Sequence, residues 1–532
     1  MRRVISKISG FLGGLDSPDR WALKLWQRVP GYIRLTYIAA LVLGLLTHLY
    51  MFTNKFTNHD DLSQMFFADY GKASGRWLLP TVLELDGNFS MPWLIGMLSI
   101  LCLAGVPCFV VALLRIRQPL GCVVTAALLV TFPTVTATFG FMFSADAYFF
   151  SLLLAVFGAY LSVRWGWKGS LLGAVAITLS LGIYQAYLPV AAVLMVGALL
   201  FETLDGEASL RALLWKGVRL AATLAVALLA YLVVVRFTTR DTGLTDYEGI
   251  SDMGKLSLGE LPQLVVLSYK KYGAFFLRDR WHCHASYLPY VLLLTALVTV
   301  VLGVLLLLRR RIGTGRTLLA LFLVGIYPLA GGLIYVMVPK GFVHIHMMYG
   351  LVFLLIAPIA LMEYSRPVLQ EGSRTRVFHV MGSWVILLTM ALTAYSYGIT
   401  DNNAYLKADL GMRQCEAYSN RLLARVESAE GYEPGMPVVL VGSTQREAAL
   451  SPTPELDASD LVGIFNMGDL RTFYTYGHFL RYYLGFSQPV YAGNSELARS
   501  LADTARVQAM PLYPLAGSVQ VMDGRVVVKL NP

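Results

Sequence analysis

The apolar positions along the chain fall into long unbroken runs, not the short alternating or one-faced patterns of a water-soluble fold. A bilayer core about 30 Å thick needs about 20 apolar residues per helix. Windows of that kind cover residues 33–52, 92–114, 119–141, 145–163, 169–184, 186–202, 217–236, 287–308, 317–337, 345–362 and 378–397. The sequence therefore predicts a mostly α, polytopic membrane protein with about eleven transmembrane helices. The fifth and sixth windows depend on a sharp turn within LGIYQAYLPV (181–190); one kinked span there would reverse the sidedness of every later segment.

After residue 397 the membrane-length runs stop. Short strands are expected in PVVLVGS (437–443) and QPVYAG (488–493), and helical periodicity in 405–429 and 494–507. An Asp-Gly pair between alternating apolar residues of VQVMDGRVVVKL (519–530) signals a hairpin. The expected organisation is a cytoplasmic tail (1–32), a transmembrane region (33–397) and a small extracytoplasmic α/β domain (398–532).

Composition agrees: of 532 residues, 56% are hydrophobic and 14% charged. The formal charge of +10 comes largely from Lys and Arg clusters in the tail and near residues 115–117, 164–168, 211–219, 309–316 and 366–376. With eleven spans these clusters share one side, which the positive-inside rule makes cytoplasmic. They serve as membrane anchors and give no reason to expect nucleic acid. The N-terminus is then inside and the C-terminus outside. The larger outward segments are 53–91 and 237–286. Of the five cysteines, only Cys283 and Cys415 are expected outside; unpaired thiols are favoured over a disulfide, since no spacing implies a framework.

The first outward segment begins with TNHDDL (57–62). Asn58 is a good N-cap, and Leu62, Met65, Phe66 and Tyr70 recur at helical spacing, predicting an amphipathic helix over 59–70 on the outer membrane face. Asp60 and Asp61 occupy its first turn. The helix dipole explains one acid there but not two, about 100° apart around the axis. Asp146, in FGFMFSADAYFF (139–150), is a third acid on the same side; N-capping of the following span is its structural explanation.

A first outward segment that opens on paired acids and ends on SGRWLLP (74–80), with GIYQAYLP (182–189) and a tail ending GRVVVKL (524–530), resembles the GT-C membrane glycosyltransferases. It resembles especially the serotype-converting O-antigen glucosyltransferases of the Gtr type. The resemblance implies a polyprenyl-phosphate-linked sugar donor, with glucose as the sugar, and a lipid-linked or surface glycan acceptor. It also implies residence in the bacterial inner membrane among lipids, and catalysis on its outer face. Asp60 or Asp61 would then be the general base, with a weak preference for Asp60, and Asp146 resembles the acid of the second external loop.

Phosphate binding requires cations on that side. The candidates are Arg278 and Arg280, with Arg76, Lys72 and Lys340. His282, His284, Trp281 and Tyr187 are candidates for substrate contact, while an interfacial aromatic belt and an Asp279–Arg280 ion pair are the structural alternatives. A cofactor is not fixed by the sequence: carboxylate oxygens of Asp60, Asp61 and Asp146 would suit Mg or Mn, whereas the HCH and HIH stretches lack a carboxylate at ligand spacing. A transporter or flippase of lipid-linked sugars is the rival class; internal repeats and broken helices would mark it.

Overall fold

The computed structural model describes residues 17–66, 71–240, 243, 259–278, 285–339, 341–371, 373–444 and 470–531, without the side chains of Lys72 and Ser373. Among them, ten helices are long and apolar enough to cross a membrane. A further pair, Pro119–Thr131 and Pro133–Phe139, meets at 43° and makes an eleventh if counted as one span. The bend has a local cause: Phe132 precedes a proline and is held extended, at ψ 131°, so the helix cannot run through. The protein is a multi-pass membrane protein.

The turn expected in LGIYQAYLPV is present. Helix Gly166–Ile183 ends on the extended Tyr184, a 3₁₀ turn covers Gln185–Tyr187, and helix Leu188–Asp205 starts with Pro189 in its first turn. The segment is two helices, not one kinked span.

Two features depart from the expected layout. Within 237–286, residues Leu261–Leu277 form a helix that packs on the bundle, with Ser268 Oγ donating to Gly332 O at 3.0 Å and Phe275 5.6 Å from Phe132. The last span and the helix expected over 405–429 are one continuous helix, Ser373–Glu427. At 1.5 Å per residue it is about 80 Å long. It does not break at Gly398 or Asn402 because its buried face, through Tyr397, Asp401, Ala404, Tyr405 and Ala408, keeps helical spacing past the end of the apolar run.

That helix carries the C-terminal α/β unit. Four strands, β1 (Val438–Val441), β2 (Val490–Tyr491), β3 (Val519–Met522) and β4 (Arg525–Lys529), lie in the order β2-β1-β4-β3. β1 is parallel to β2 and β4; β3 and β4 form the expected hairpin, with Asp523 and Gly524 both at positive φ (49° and 68°). Val438, Leu440, Val526 and Val528 face Tyr418, Leu422 and Phe479, while Val439, Val441 and Val527 face Ala498, Val507 and Met510. Cys415 is a buried free thiol; Cys283 lies outside the described residues.

Candidate functional site

The first outward segment is where the fold differs most from its sequence pattern. Helix His59–Ser63 is five residues long, capped by Asn58 Oδ1 accepting from Asp61 N at 2.8 Å. It does not lie on lipid. Leu62 is fully buried and shares a core with Met65, Tyr418, Phe479 and Leu480 of the C-terminal half. His59 meets Tyr474 edge-on at 6.1 Å, and Phe66 meets Tyr482 at 5.0 Å. Of the apolar face predicted for the bilayer, Leu62 and Met65 are covered by protein, Phe66 stays partly exposed, and Tyr70 lies outside the described residues.

The two adjacent acids have separate fates. Asp61 is fully buried; its Oδ2 accepts from Lys55 Nζ at 2.5 Å and Thr57 Oγ1 at 2.7 Å, and its Oδ1 from Ser90 Oγ. Asp60 is 42% exposed, with His59 Nε2 3.6 Å away. Together they do not offer a metal two free carboxylates, because the Lys55 ammonium already stands where a cation beside Asp61 would sit. Among the described residues no three His, Cys, Asp or Glu side chains come together as metal ligands.

Asp146 is buried in the first turn of helix Ala145–Arg164, with Oδ1 accepting from Ala147 N at 2.8 Å. Its neighbour is an acid that the sequence reading missed. Asp86, in the turn Glu84–Asp86 just before span Pro92–Leu113, interacts directly with the Asp146 carboxyl. Asp86 Oδ1 accepts from Asn88 N at 2.8 Å, while Oδ2 is buried without a donor. A single proton shared with Asp146 would satisfy that oxygen. Burial pushes the Asp86 carboxyl above the usual carboxylate range. The one sequence signal was a carboxylate in LELDGN (83–88), which reads as an ordinary turn.

Arg76 is brought to the same helix start. Its Nη1 donates to Tyr148 Oη at 3.0 Å, and its guanidinium lies over the rings of Tyr184 (5.2 Å) and Tyr148 (5.9 Å). Tyr148 follows Asp146 by two residues. SGRWLLP and GIYQAYLP, distant in sequence, dock on one another: Leu78 N donates to Gly182 O at 2.8 Å, and Gln185 Nε2 to Ser74 O at 2.9 Å. A side chain on Gly75 (φ 77°) would strike Tyr231 Oη at 2.6 Å, and one on Gly182 would strike Trp77 at 2.5 Å. His346 stacks on Tyr184 at 6.0 Å. Arg76 brings a positive charge to this site.

Tyr187 is fully buried behind Tyr184, edge-on at 5.2 Å. Arg278 is exposed at the C-terminal end of helix Leu261–Leu277. Arg280, Trp281, His282, His284, Lys340 and the Lys72 side chain lie outside the described residues.

The family model for the glucosyl transferase GtrII matches residues 49–357, more than half of the chain. The chain belongs to the GtrII glucosyl transferase family. It is a membrane glycosyltransferase, with a sugar donor and an acceptor as substrates. The GtrII match takes in both docked motifs, Asp86, Asp146 and Arg76, and stops before the α/β unit. No curated protein and no solved structure matches the chain.

Proposed function

We propose that this GtrII-family protein transfers a sugar, glucose by family, from a polyprenyl-phosphate donor to O-antigen or another surface glycan. The reaction takes place on the outer face of the bacterial inner membrane, with the N-terminus cytoplasmic and the C-terminal unit outside. The observation that carries the reading is a buried carboxyl pair, Asp86 and Asp146, at the start of a helix whose Tyr148, two residues on, accepts a hydrogen bond from a cation, Arg76.

The chemistry follows from those groups. The acceptor hydroxyl is a weak nucleophile until a carboxylate of the pair takes its proton. Its oxygen then forms the bond to the anomeric carbon as the bond from that carbon to the phosphate oxygen breaks. The departing lipid phosphate gains negative charge, which Arg76, held by Tyr148 and Tyr184, is placed to stabilise. Asp60 is the second candidate for the base, since, unlike its neighbour Asp61, it reaches water. Arg278, Arg280, Lys72 and Lys340 belong to the same proposal as further phosphate contacts, and His282, His284 and Trp281 as sugar contacts.

The bend at Pro133 is the one feature that favours a flippase. Purified protein given polyprenyl-phosphate glucose and a glycan acceptor separates the two: a new glycosidic product is expected. Movement of the lipid-linked sugar across vesicles without product would establish the flippase instead.

A further inference from the structure

At the end of the bundle opposite Asp146, six helix termini surround a concavity of about 510 Å³. Pro92–Leu113 and Ala145–Arg164 both run from the acidic end to this one, so the two sites lie on opposite membrane faces. Five arginines, Arg115, Arg117, Arg164, Arg310 and Arg366, line it against two acids, Asp205 and Glu363.

Both acids are already engaged. Asp205 Oδ2 takes Arg115 Nη1 at 2.7 Å, and Oδ1 takes Arg310 Nη1 at 3.3 Å and the Tyr364 hydroxyl. Arg310 is further fixed, donating to Leu204 O at 2.8 Å and lying 4.8 Å over the Tyr364 ring. The oxygens of Glu363 accept from Arg117 N at 2.9 Å and Gln118 N at 3.0 Å, and its charge is also felt by the Arg366 and Arg117 guanidinium groups beyond ion-pair distance. Arg117, Arg164 and Arg366 are exposed around the opening and make no ion pair among the described residues. Sidedness of charge alone would scatter arginines along this face; it does not require three guanidinium forks without a close ion pair to converge on one hollow with a rigid polar floor.

We infer that this concavity is a phosphate-binding site, for the headgroup of an anionic phospholipid or a soluble phosphorylated compound. Guanidinium forks match phosphate oxygens two at a time, and basic hollows between membrane helices on the positively charged side suit phosphorylated headgroups. The site is separate from the transfer chemistry and does not rest on it.

The test uses the full-length protein in zwitterionic nanodiscs. Phosphatidylglycerol is titrated with native mass spectrometry as the readout, and inorganic pyrophosphate with calorimetry. Two triple variants are compared: Arg117→Gln/Arg164→Gln/Arg366→Gln in the hollow, and Arg309→Gln/Arg311→Gln/Arg376→Gln on the same face outside it. The hollow variant should lose about 10-fold or more in affinity for a phosphate probe, and the outer variant much less. In the unaltered protein, pyrophosphate should displace phosphatidylglycerol if a lipid headgroup is the occupant. Tight binding of pyrophosphate alone supports the site with a soluble ligand. Equal losses in both variants, or no saturable binding of either probe to the unaltered protein, would overturn the inference.

Discussion

Lys55 Nζ lies 2.5 Å from Asp61 Oδ2, across the short turn that joins the first span to helix His59–Ser63. The same carboxylate holds Thr57 and Ser90, so one buried acid ties both ends of the first outward segment together. Asp61 is thereby a structural anchor. Replacing it by Asn should cost about 1 to 3 kcal/mol, because it leaves Lys55 partly buried beside a neutral amide. Asp60→Asn, at an exposed position, should change stability by no more than about 0.5 kcal/mol. Thermal unfolding of the two variants in detergent checks the contrast, and equal losses would contradict it.

Leu62 gives the second prediction. Its side chain is buried among Tyr418, Phe479 and Leu480, so Leu62→Ala should destabilise the docked segment by about 2 to 5 kcal/mol. A lipid-facing residue would tolerate the change. Hydrogen exchange over residues 59–66 and 476–484 should rise together in the variant. Exchange confined to the first segment would argue against the contact.

The third concerns pH. Burial raises Asp86 above the usual carboxylate range, whereas unfolding returns it to about 3.9. Its contribution to stability is therefore complete below the unfolded value and is lost as pH rises through the folded one. A base works only when deprotonated, so transfer should rise over the same window in which stability falls. Initial rates and melting temperatures from about pH 4 to about pH 8 would show the opposed trends. Asp86→Asn should flatten this segment of the stability curve.

Arg76 supplies the fourth. Arg76→Lys keeps the charge but loses the planar fork that Tyr148 and Tyr184 hold. Donor KM should rise by about 10-fold, and Arg76→Gln should also lower kcat, because charge on the departing phosphate develops in the transition state. Unchanged donor dependence in both variants would place phosphate binding elsewhere, with Arg278 the next described residue to test.

Much of this fold was readable because lipid imposes a length requirement that few sequences meet by chance. The turn at Gln185–Tyr187 and the Asp523-Gly524 hairpin were readable because proline and glycine chemistry is local. Leu62 was not. Helical periodicity identifies an apolar face but does not say whether lipid or protein covers it. Continuity of Ser373–Glu427 was hidden for a related reason: Gly398 and Asn402 are weak helix formers, and packing along Tyr397, Asp401 and Tyr405 outweighs them. Asp146 stood out as a lone acid in an apolar stretch. Its partner Asp86 did not, since the fold brings the two together from separate segments and a turn offers its own reason for an aspartate.

In the proposed mechanism Asp146 and Asp86 form the base, and the more exposed Asp60 does not. Initial rates of sugar transfer from polyprenyl-phosphate glucose, measured side by side for purified Asp146→Asn, Asp86→Asn and Asp60→Asn, test it most directly. Loss of a general base costs about 100-fold to 10,000-fold. Asp146→Asn should fall in that range with donor KM little changed, Asp86→Asn should be impaired, and Asp60→Asn should stay within about 3-fold of the unaltered enzyme. A loss of about 100-fold or more in Asp60→Asn, with Asp146→Asn near normal, would move the catalytic base to the first outward helix and contradict the account.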